Sequence, residues 1–312
     1  MKILVTGGCG YKGSVLIPLL LDQGHQVISI DTQWFGNHLK DHPNLLNIKL
    51  DIREIELEHL DKTDVVIHLA NIANDPAVEL NPNLSWEVNV LATQQLIEKA
   101  KKNKVKQFIF ASSGSVYGVK EEDKVTEDLD LVPISVYNKT KMIAERVLLS
   151  YKNDMQVHCI RPATVCGFSP RMRLDVSVNM FTYQALKNGK MTIFGGDQTR
   201  PNIHIKDIAN VYLHFIKNPN IESGCFNAGF ENIRIIDIAK MVQTRIPSEL
   251  IISESNDPRS YRQDSTKLLQ TGFSPKFSVK DAIDEIAEIY NAGQLLDSDN
   301  CFTVKWMKTL KL

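Results

Sequence analysis

The sequence is poor in cysteine, and its cysteines are not arranged as a disulfide framework or a zinc site. The 312 residues contain five, an odd number without a C-x-x-C pair: Cys9, Cys159, Cys166, Cys225 and Cys301. Small secreted domains and structural zinc sites need paired or closely spaced cysteines. His68 and His204 also lack neighbouring ligands at metal-binding spacing. We therefore predict a cytoplasmic protein without a bound metal.

Long hydrophobic runs and an excess of one charge are also absent. No segment approaches the roughly 18 apolar residues of a membrane span, and the apolar run at Lys2–Thr6 is too short for a signal peptide. Lys and Arg total 36 against 37 Asp and Glu, which gives a net charge of -1. We therefore expect a soluble protein that binds neither nucleic acid nor a membrane, and in which local groups bind any phosphate.

Short apolar runs alternate with longer helical patterns in the first half of the sequence. The predicted strands are Lys2–Thr6, Gln26–Ile30, Leu46–Leu50, Val65–Leu69, Gln107–Phe110 and Val157–Ile160. The predicted helices are Gly13–Gln23, about Ser85–Lys102 and about Val136–Tyr151. Short, apolar strands that alternate with helices indicate an α/β fold, in which a doubly wound parallel sheet has helices on both faces.

The first strand–helix turn has glycines spaced for a dinucleotide. Gly7, Gly10 and Gly13, in G-G-C-G-Y-K-G, follow a predicted strand and open a predicted helix. Residues without a Cβ let the backbone approach a pyrophosphate, and the helix N-terminus supplies N–H groups and a positive dipole. The alternative is a plain strand–helix turn. The order of strand, glycines and helix favours cofactor binding.

The second predicted strand leads into Asp31, eighteen residues beyond Gly13. A carboxylate at this point accepts hydrogen bonds from both hydroxyls of the adenosine ribose and repels a 2′-phosphate. No arginine follows directly to neutralise such a phosphate. The pattern therefore favours NAD over NADP, and a loop-capping Asp31 is the alternative.

A serine, a tyrosine and a lysine form a candidate catalytic set. Tyr137 and Lys141 are four residues apart on a predicted helix and share one face. A nearby ammonium and an oxidised nicotinamide both favour the phenolate of a tyrosine, whose pKa is ordinarily about 10. Ser112 and Ser113, in A-S-S-G-S-V-Y-G, follow a buried strand whose carboxyl end faces the ligand crevice. The alternatives are a half-buried tyrosine beside a solvated lysine, and serines that cap a loop.

With these motifs in order, the sequence resembles the extended short-chain dehydrogenases/reductases of the NAD-dependent epimerase/dehydratase group, which includes UDP-glucose 4-epimerases. The resemblance covers roughly residues 1–290. The segments that carry it are G-G-C-G-Y-K-G, H-L-A (His68–Ala70), S-S-G-S-V-Y-G, Y-N-K-T-K, R-P-A-T-V-C-G and R-P-N-I-H-I-K-D (Arg200–Asp207). It implies a Rossmann-type fold, NAD as the cofactor and a nucleotide-sugar as the substrate.

The resemblance also implies roles for individual residues. The implied catalytic residues are Ser113, Tyr137 and Lys141. Those implied at the cofactor are Gly7, Gly10, Tyr11, Lys12 and Gly13 at the pyrophosphate, Asp31 at the ribose, Asp51 and Ile52 at the adenine, Leu69 and Ala70 in a turn beside it, and Asn89, Tyr137 and Lys141 toward the nicotinamide. Those implied at the nucleotide-sugar are Ser113, Ser115, Tyr137, Thr164, Asn179, Arg200, and Arg259 or Arg262. A surface salt bridge is the alternative for these arginines.

Beyond Arg161-Pro162 the loops lengthen and the alternation becomes irregular. We predict an NAD-binding domain in residues 1–164 and about 196–217, and a smaller α/β substrate-binding region in about 165–195 and 218–312. The last stretch, Asp297–Leu312, is a docking arm or a loose tail. Relatives pair the helices near Asn89–Lys102 and Val136–Tyr151, so we also expect a homodimer.

The reaction implied by the resemblance begins with oxidation of a sugar hydroxyl, most simply at C4. Related 4,6-dehydratases carry an Asp-Glu pair where this sequence has Gly114-Ser115, whereas an epimerase needs no further acid. We therefore predict an NAD-dependent nucleotide-sugar epimerase that acts through a 4-keto intermediate, with a C4 oxidoreductase as the alternative. A dehydratase or a dinucleotide-binding regulator is less favoured. Two features depart from the common pattern. Lys12 either reaches the cofactor phosphates or lies in solvent, and the basic segment Arg171–Asp175 indicates a different base or sugar if Arg171 or Arg173 contacts the substrate.

Overall fold

The structure is a computed structural model that describes residues 1–254 and 260–311. Its strands are β1 (Lys2–Thr6), β2 (Gln26–Asp31), β3 (Leu45–Lys49), β4 (Val65–His68), β5 (Gln107–Ala111), β6 (Gln156–Pro162), β7 (Thr164–Cys166), β8 (Lys190–Phe194), β9 (Thr199–His204), β10 (Gly224–Ala228), β11 (Glu231–Arg234) and β12 (Glu249–Ser253). Its α-helices are α1 (Gly13–Asp22), α2 (Asp75–Val78), α3 (Pro82–Trp86), α4 (Ala92–Lys102), α5 (Val136–Leu149), α6 (Ser177–Asn188), α7 (Ile205–Lys217), α8 (Ile235–Arg245), α9 (Thr266–Gln270), α10 (Val279–Asn291) and α11 (Thr303–Leu310). Within the described ranges, none of these helices has both the length and the apolar character that crossing a membrane would demand.

Seven parallel strands form the central sheet, in the order β10-β6-β5-β4-β1-β2-β3. In β1, Ile3 and Val5 enter one hydrophobic cluster and Leu4 enters another, because successive side chains of a strand point to opposite faces. Residues of α1 and α7 belong to the first cluster, and residues of α4 and α5 belong to the second. The predicted doubly wound α/β fold is confirmed.

The strand order reverses between β1 and β4. From β1 the chain passes outward to β2 and β3, then returns to the other side of β1 and continues through β4, β5 and β6. An open α/β sheet has a crevice at the carboxyl ends of the strands where its order reverses, and ligands bind there. The turns that follow β1 and β4 form the floor of this crevice.

Residues outside the central sheet build a smaller unit. It contains the three-stranded sheet β11-β9-β7 and the pair β12-β8, and helices α6, α8 and α10 contribute to a hydrophobic cluster of its own. The predicted domain boundaries stay a prediction. Two strands belong to a different unit from the one to which these boundaries assign them. β10 is an edge strand of the central sheet although it falls within 218–312, and β9 joins the small sheet although it falls within 196–217. The pairing between strands determines which sheet each of these two strands joins, and the local sequence does not show which strands pair.

The helix predicted over Ser85–Lys102 is interrupted by a π-helical turn at Glu87–Leu91, between α3 and α4. A π turn accommodates one extra residue and changes the direction of the side chains around it. Here it contains Asn89, which accepts a hydrogen bond from the Ile72 N–H at 2.9 Å and donates to Thr140 Oγ1 at 3.2 Å. The turn therefore ties the loop after β4 to α5.

A buried ion pair joins α5 to β6. Arg161 donates from Nε and Nη2 to the two oxygens of Glu145, at 2.9 and 2.8 Å, and their side chains are 4% and 1% exposed. The Tyr117 hydroxyl accepts from Arg161 Nη1 at 2.7 Å, and Ser112 donates to Glu145. The bidentate geometry and these additional bonds compensate the cost of removing two charges from water.

We expect the loss of one partner of this pair to be costly. Glu145→Gln keeps the shape of the side chain but leaves Arg161 without a counterion, so the free energy of unfolding should fall by about 3–5 kcal/mol. The control Asp237→Asn breaks the exposed pair with Arg234 and should change stability little. Urea unfolding followed by circular dichroism measures both variants, and equal losses would contradict the prediction.

Candidate active site

A cavity at the reversal of strand order brings together most of the predicted site residues. Its volume is about 730 Å³, within the range of roughly 300–1,000 Å³ that is typical of ligand sites. Fifteen predicted residues line it: Gly7, Gly10, Tyr11, Lys12, Gly13, Asp31, Asp51, Ile52, Leu69, Ala70, Ser113, Ser115, Tyr137, Thr164 and Arg200. Lys141, Asn89 and Asn179 are not among the lining residues.

The turn after β1 is crowded at its glycines, although Cys9, Tyr11 and Lys12 of the same turn carry side chains. A Cβ on Gly13 would lie 2.4 Å from the carbonyl oxygen of Gly8, and one on Gly10 would lie 3.2 Å from that of Gly7. Helix α1 begins directly behind the turn and has no acidic residue in its first turn, so the positive end of its dipole is not neutralised locally. Bare backbone in front of such a helix end fits the diphosphate of a dinucleotide.

Asp31 lies at the end of β2, in the wall of the cavity. Its carboxylate accepts hydrogen bonds from the Cys9 N–H at 3.0 Å and the Gln33 N–H at 2.7 Å, so it does cap the local loop. Burial raises the pKa of Asp31, and these two bonds oppose that effect. Each oxygen keeps an acceptor site for a hydroxyl group. Asp51, two residues beyond β3, is paired with Arg53 at 2.9 Å.

The predicted serine and tyrosine reach the cavity from different elements. Ser113 follows β5 and caps the short helical turn Gly114–Tyr117, where its Oγ accepts from the Ser115 N–H at 3.2 Å and lies 2.8 Å from Ser115 Oγ. Tyr137 lies in the first turn of α5, whose N-cap is Ser135. Two hydroxyl groups and a phenol thus share one cavity.

From the sequence, Lys141 is expected to lower the pKa of Tyr137, but in the structure other groups have the largest effects on this pKa. Burial raises the pKa of Tyr137 to about 12, and the Ser113 hydroxyl and the Arg173 guanidinium counteract this rise in part. Asp75 raises the pKa further, and Lys141 is not among the groups that shift it. The phenol is therefore neutral at pH 7, and Arg173 supplies the positive charge that opposes burial.

Lys141 lies one helical turn beyond Tyr137, beneath the cavity surface. Its Nζ donates to the carbonyl oxygen of Ala111 at 2.5 Å and lies 4.6 Å from the centre of the Phe110 ring. The residue is 3% exposed, and burial followed by the charge of Lys12 lowers the pKa of Lys141 well below its usual value. Its contact with a cofactor stays a prediction.

The two predicted asparagines do not line the cavity, but each forms a hydrogen bond with a residue that does. Asn89 holds Ile72, in the loop after β4, through the bonds described above. Asn179, on α6, accepts from the Gly167 N–H at 2.9 Å and donates to the Tyr11 hydroxyl at 3.0 Å. Both asparagines are fully buried. In this structure they position the residues that line the cavity.

Lys12, Arg171 and Arg173, whose roles the sequence left open, all line the cavity. Burial, and then the charge of Arg173, lowers the pKa of Lys12 to about 8. Arg173 donates from Nε to Asp175 at 2.8 Å. These three cations lie in a cavity that Asp31, Asp51, Asp75 and Asp175 also line, so an anionic ligand can meet positive charge there although the net charge of the chain is only -1.

Sequence reasoning missed one wall of the cavity, which two distant segments build. Trp34 and Phe35 follow β2, and Phe302–Met307 comes from the C-terminal stretch described as a docking arm or a loose tail. Val304 and Met307, two apolar residues three positions apart, are the signal that could have indicated a buried helical face.

The predicted arginines have different positions. Arg200, on β9, lines the cavity and donates from Nη1 to the Thr199 carbonyl oxygen at 3.3 Å. The side chain of Arg262 is exposed and does not line it. Arg259 lies outside the described residues. Since β7 pairs with β9, Thr164 and Arg200 approach the cavity from one small sheet.

The two histidines considered as possible ligands have protein partners. His68 is fully buried between the hydroxyls of Thr6 and Thr93, at 2.6 and 2.8 Å, and burial lowers its pKa to about 3. His204 accepts from the Lys206 N–H at 3.1 Å. Across residues 1–254 and 260–311, no group of three or more His, Cys, Asp and Glu side chains is placed to hold a metal ion.

The charge of Arg173 gives a prediction for the pH dependence of any reaction in which Tyr137 acts as a base. Activity then rises with pH as the phenol ionises, and Arg173→Met should move that rise to higher pH because it removes a charge that lowers the pKa of Tyr137. At pH 7, kcat/KM should fall about tenfold for each pH unit of the shift. Arg173→Lys, which keeps the charge, is the matched control in a pH profile of kcat/KM. An unshifted profile for Arg173→Met would exclude this role.

Comparisons with known proteins show the family to which the chain is related. Residues 3–229 match the NAD dependent epimerase/dehydratase family. A UDP-glucose 4-epimerase of Halalkalibacterium halodurans is 31% identical over 315 residues, which cover 89% of this chain and 91% of that protein. UDP-glucuronic acid decarboxylase 1 of Arabidopsis thaliana is 28% identical over 96% of this chain and 72% of that protein. The crystal structure of a UDP-glucuronic acid 4-epimerase from Bacillus cereus, in complex with UDP-glucuronic acid and NAD, is 29% identical with a TM-score of 0.82, covering 94% of this chain and 100% of that one.

Proposed function

Since this chain belongs to the NAD dependent epimerase/dehydratase family, we propose that it is an NAD-dependent nucleotide-sugar epimerase that acts through a 4-keto intermediate. The observation that carries the proposal is the meeting of the glycine turn, Asp31, Ser113 and Tyr137 in one cavity. The first two suit the diphosphate and ribose of a dinucleotide. The other two suit proton transfer with a sugar hydroxyl.

NAD, when bound, supplies the group that takes a hydride from the sugar carbon and gives it back. The chain's own residues handle the proton. Tyr137, once ionised, accepts the proton of the sugar hydroxyl as the ketone forms, and returns it when the alcohol is restored on the other face. Ser113 orients the reacting oxygen, and the Ser115 hydroxyl 2.8 Å away fixes the direction of Ser113 Oγ. Arg173 favours the ionised phenol.

The position of Gly114 supports an epimerase over a dehydratase, which must also protonate a leaving hydroxyl. A Cβ on Gly114 would lie 3.1 Å from Oε1 of Gln263. Gln263 is held by bonds from its Nε2 to the carbonyl oxygen of Arg161 at 2.7 Å and to Asn227 Oδ1 at 3.0 Å. A side chain at position 114 would therefore have to displace Gln263 by a few tenths of an ångström, and neither Gly114 nor Ser115 carries a carboxylic acid.

The sugar-nucleotide side of the proposal involves the smaller unit. We assign contacts with the nucleotide-sugar to Ser115, Thr164 and Arg200, which all line the cavity. The guanidinium of Arg200 has the planar geometry that binds phosphate oxygens in pairs. Asn179 acts through Tyr11, and the assignment of Arg259 rests on the sequence resemblance. The cytoplasmic location and the lack of nucleic-acid or membrane partners stay predictions.

The catalytic assignment predicts the effect of removing one oxygen atom. Tyr137→Phe should lower turnover of the preferred nucleotide-sugar by about 10²–10⁴-fold, because it removes the proton acceptor, while NAD binding is retained. Tyr151→Phe, which removes a hydroxyl bonded to Glu98 away from the cavity, is the control.

Product analysis with UDP-, GDP-, dTDP- and CDP-sugars, uronic acids included, measures this turnover and tests the reaction class. An epimerase converts one stereoisomer into the other without net formation of reduced nicotinamide. A C4 oxidoreductase accumulates reduced nicotinamide and a keto-sugar, and a decarboxylase releases carbon dioxide from a uronic acid. Either of these last outcomes, or full activity of Tyr137→Phe, contradicts the proposal.

We also propose a homodimer formed through α4 and α5. Leu91, which directly precedes α4, is a large apolar side chain that is 57% exposed. Leu91→Arg should therefore convert a dimer to monomers in sedimentation velocity. Ile252→Arg places the same charge on β12, at a side chain that is 63% exposed, and should leave the dimer intact. A wild-type monomer at micromolar concentration would refute the proposal.

A further inference from the structure

The C-terminal segment 299–310 bridges two loops beside the cavity. On one side, Asn300 Nδ2 donates to the carbonyl oxygen of Phe35 at 3.1 Å, and Trp306 Nε1 donates to that of Trp34 at 2.5 Å. On the other side, the Thr303 N–H donates to Asp175 at 2.8 Å. The segment therefore connects the loop after β2 with residues 171–175, and it contributes its own side chains to the cavity wall.

Arg171 lies where these loops meet, and no carboxylate of residues 1–254 and 260–311 forms an ion pair with it. It is 5% exposed, its guanidinium carbon lies 4.0 Å from the centre of the Phe35 ring, and Nη2 is 3.5 Å from Thr303 Oγ1. Its Nε has no hydrogen-bond partner. Among the described parts of the chain, no carboxylate oxygen lies within 4.0 Å of it, although Asp31 and Asp175 are close enough to act on it electrostatically.

The nearby acids are already in use. Asp175 pairs with Arg173 through one oxygen and accepts from the Thr303 N–H through the other, and each oxygen of Asp31 accepts from a backbone N–H. Arg173 adds a like charge, which with burial lowers the pKa of Arg171 to about 10. The guanidinium of Arg171 thus has Thr303 and the ring of Phe35 as partners, but within the described residues no carboxylate pairs with it. An anionic ligand in the cavity would supply the missing negative charge.

The place of Arg171 indicates which anion that is. Its backbone N–H donates to Ser14 Oγ, in the first turn of α1, at 3.4 Å. Its side chain extends to Phe35, beyond the end of β2. Arg171 thus lies beside the first turn of α1 and close enough to Asp31 to act on it electrostatically, next to the two elements that hold the diphosphate and the adenosine ribose of a dinucleotide in this kind of sheet.

We propose that Arg171 binds the diphosphate of the cofactor, and that segment 299–310 is a brace that fixes Arg171 and closes the adenosine half of the cavity. The inference rests on the NAD site of the proposed function but not on the sugar reaction. The brace keeps the cofactor in place while a keto-sugar turns over, which an epimerase requires because the same cofactor must reduce the sugar again.

The first test is Arg171→Met, which keeps the length of the side chain and removes its charge. Calorimetric titration should show NAD and ADP-ribose binding about 10- to 100-fold more weakly, as expected for the loss of charged hydrogen bonds. Binding of UDP, which represents the substrate diphosphate, should be unchanged. Arg245→Met, on the surface of α8, is the control. Unchanged NAD affinity overturns the proposal, and so does a loss confined to UDP.

Two further measurements separate binding from folding and test the brace. Without cofactor, Arg171→Met should unfold at the same or a higher temperature, because an uncompensated buried charge is removed. A lower temperature with unchanged NAD affinity identifies a structural role and overturns the proposal.

Trp306→Phe loses the bond to Trp34 and should speed dissociation of reduced nicotinamide, followed by its own fluorescence, by about five- to tenfold. An unchanged rate excludes the brace.

The outcome for this inference is distinct from that for the reaction. If Arg171→Met weakens NAD binding but no nucleotide-sugar is epimerised, the proposed function fails and the role of Arg171 stands. If the protein is an epimerase whose NAD affinity does not depend on Arg171, the inference alone fails.

Discussion

The close contact between two turns at the reversal of strand order is the constraint on which the site depends. A Cβ on Gly7 would lie 2.6 Å from the amide nitrogen of Ala70, so the turn after β1 and the turn after β4 touch through bare backbone. No side-chain rotation can adjust such a contact. It fixes where α1 begins, and with it the position of the glycine turn relative to Asp31 and to the loop that Asn89 holds.

In this nearly neutral chain, buried charged side chains occur in two different arrangements. Lys12, Arg171 and Arg173 converge on one cavity, whereas Glu145 and Arg161 neutralise each other inside the core. In the first arrangement Arg173 is paired with Asp175, while Lys12 and Arg171 have no ion pair within the described residues and leave positive charge for an anion. In the second, both charges are used to hold α5 against β6. Both arrangements require charges to be removed from water, but one serves ligand binding and the other holds two elements together. The number of charged residues alone does not distinguish the two.

Much of the fold follows from local pattern, since a strand buried on both faces must be apolar throughout. The predicted strand Lys2–Thr6 has the observed bounds, and the helix predicted over Gly13–Gln23 ends one residue earlier, at Asp22. What could not be predicted depends on residues far apart in the sequence. The pKa of Tyr137 is shifted mainly by burial and by the Ser113 hydroxyl, with further effects of Asp75 and Arg173, which lie far away in the sequence. The wall formed by Phe302–Met307 exists because a distant segment folds back beside Trp34.

Because of the π turn at Glu87–Leu91, the position of Asn89 depends more on the number of residues in this helix than on which residues its surface carries. Deleting one residue there would restore a regular α-helix and improve its local hydrogen bonding, yet it would rotate α3 by about 100° relative to α4. Asn89 would then point away from Ile72, and the loop after β4 would lose its tether. Natural variants of this helix should accordingly tolerate exchanges of surface residues far better than insertions or deletions of a single residue.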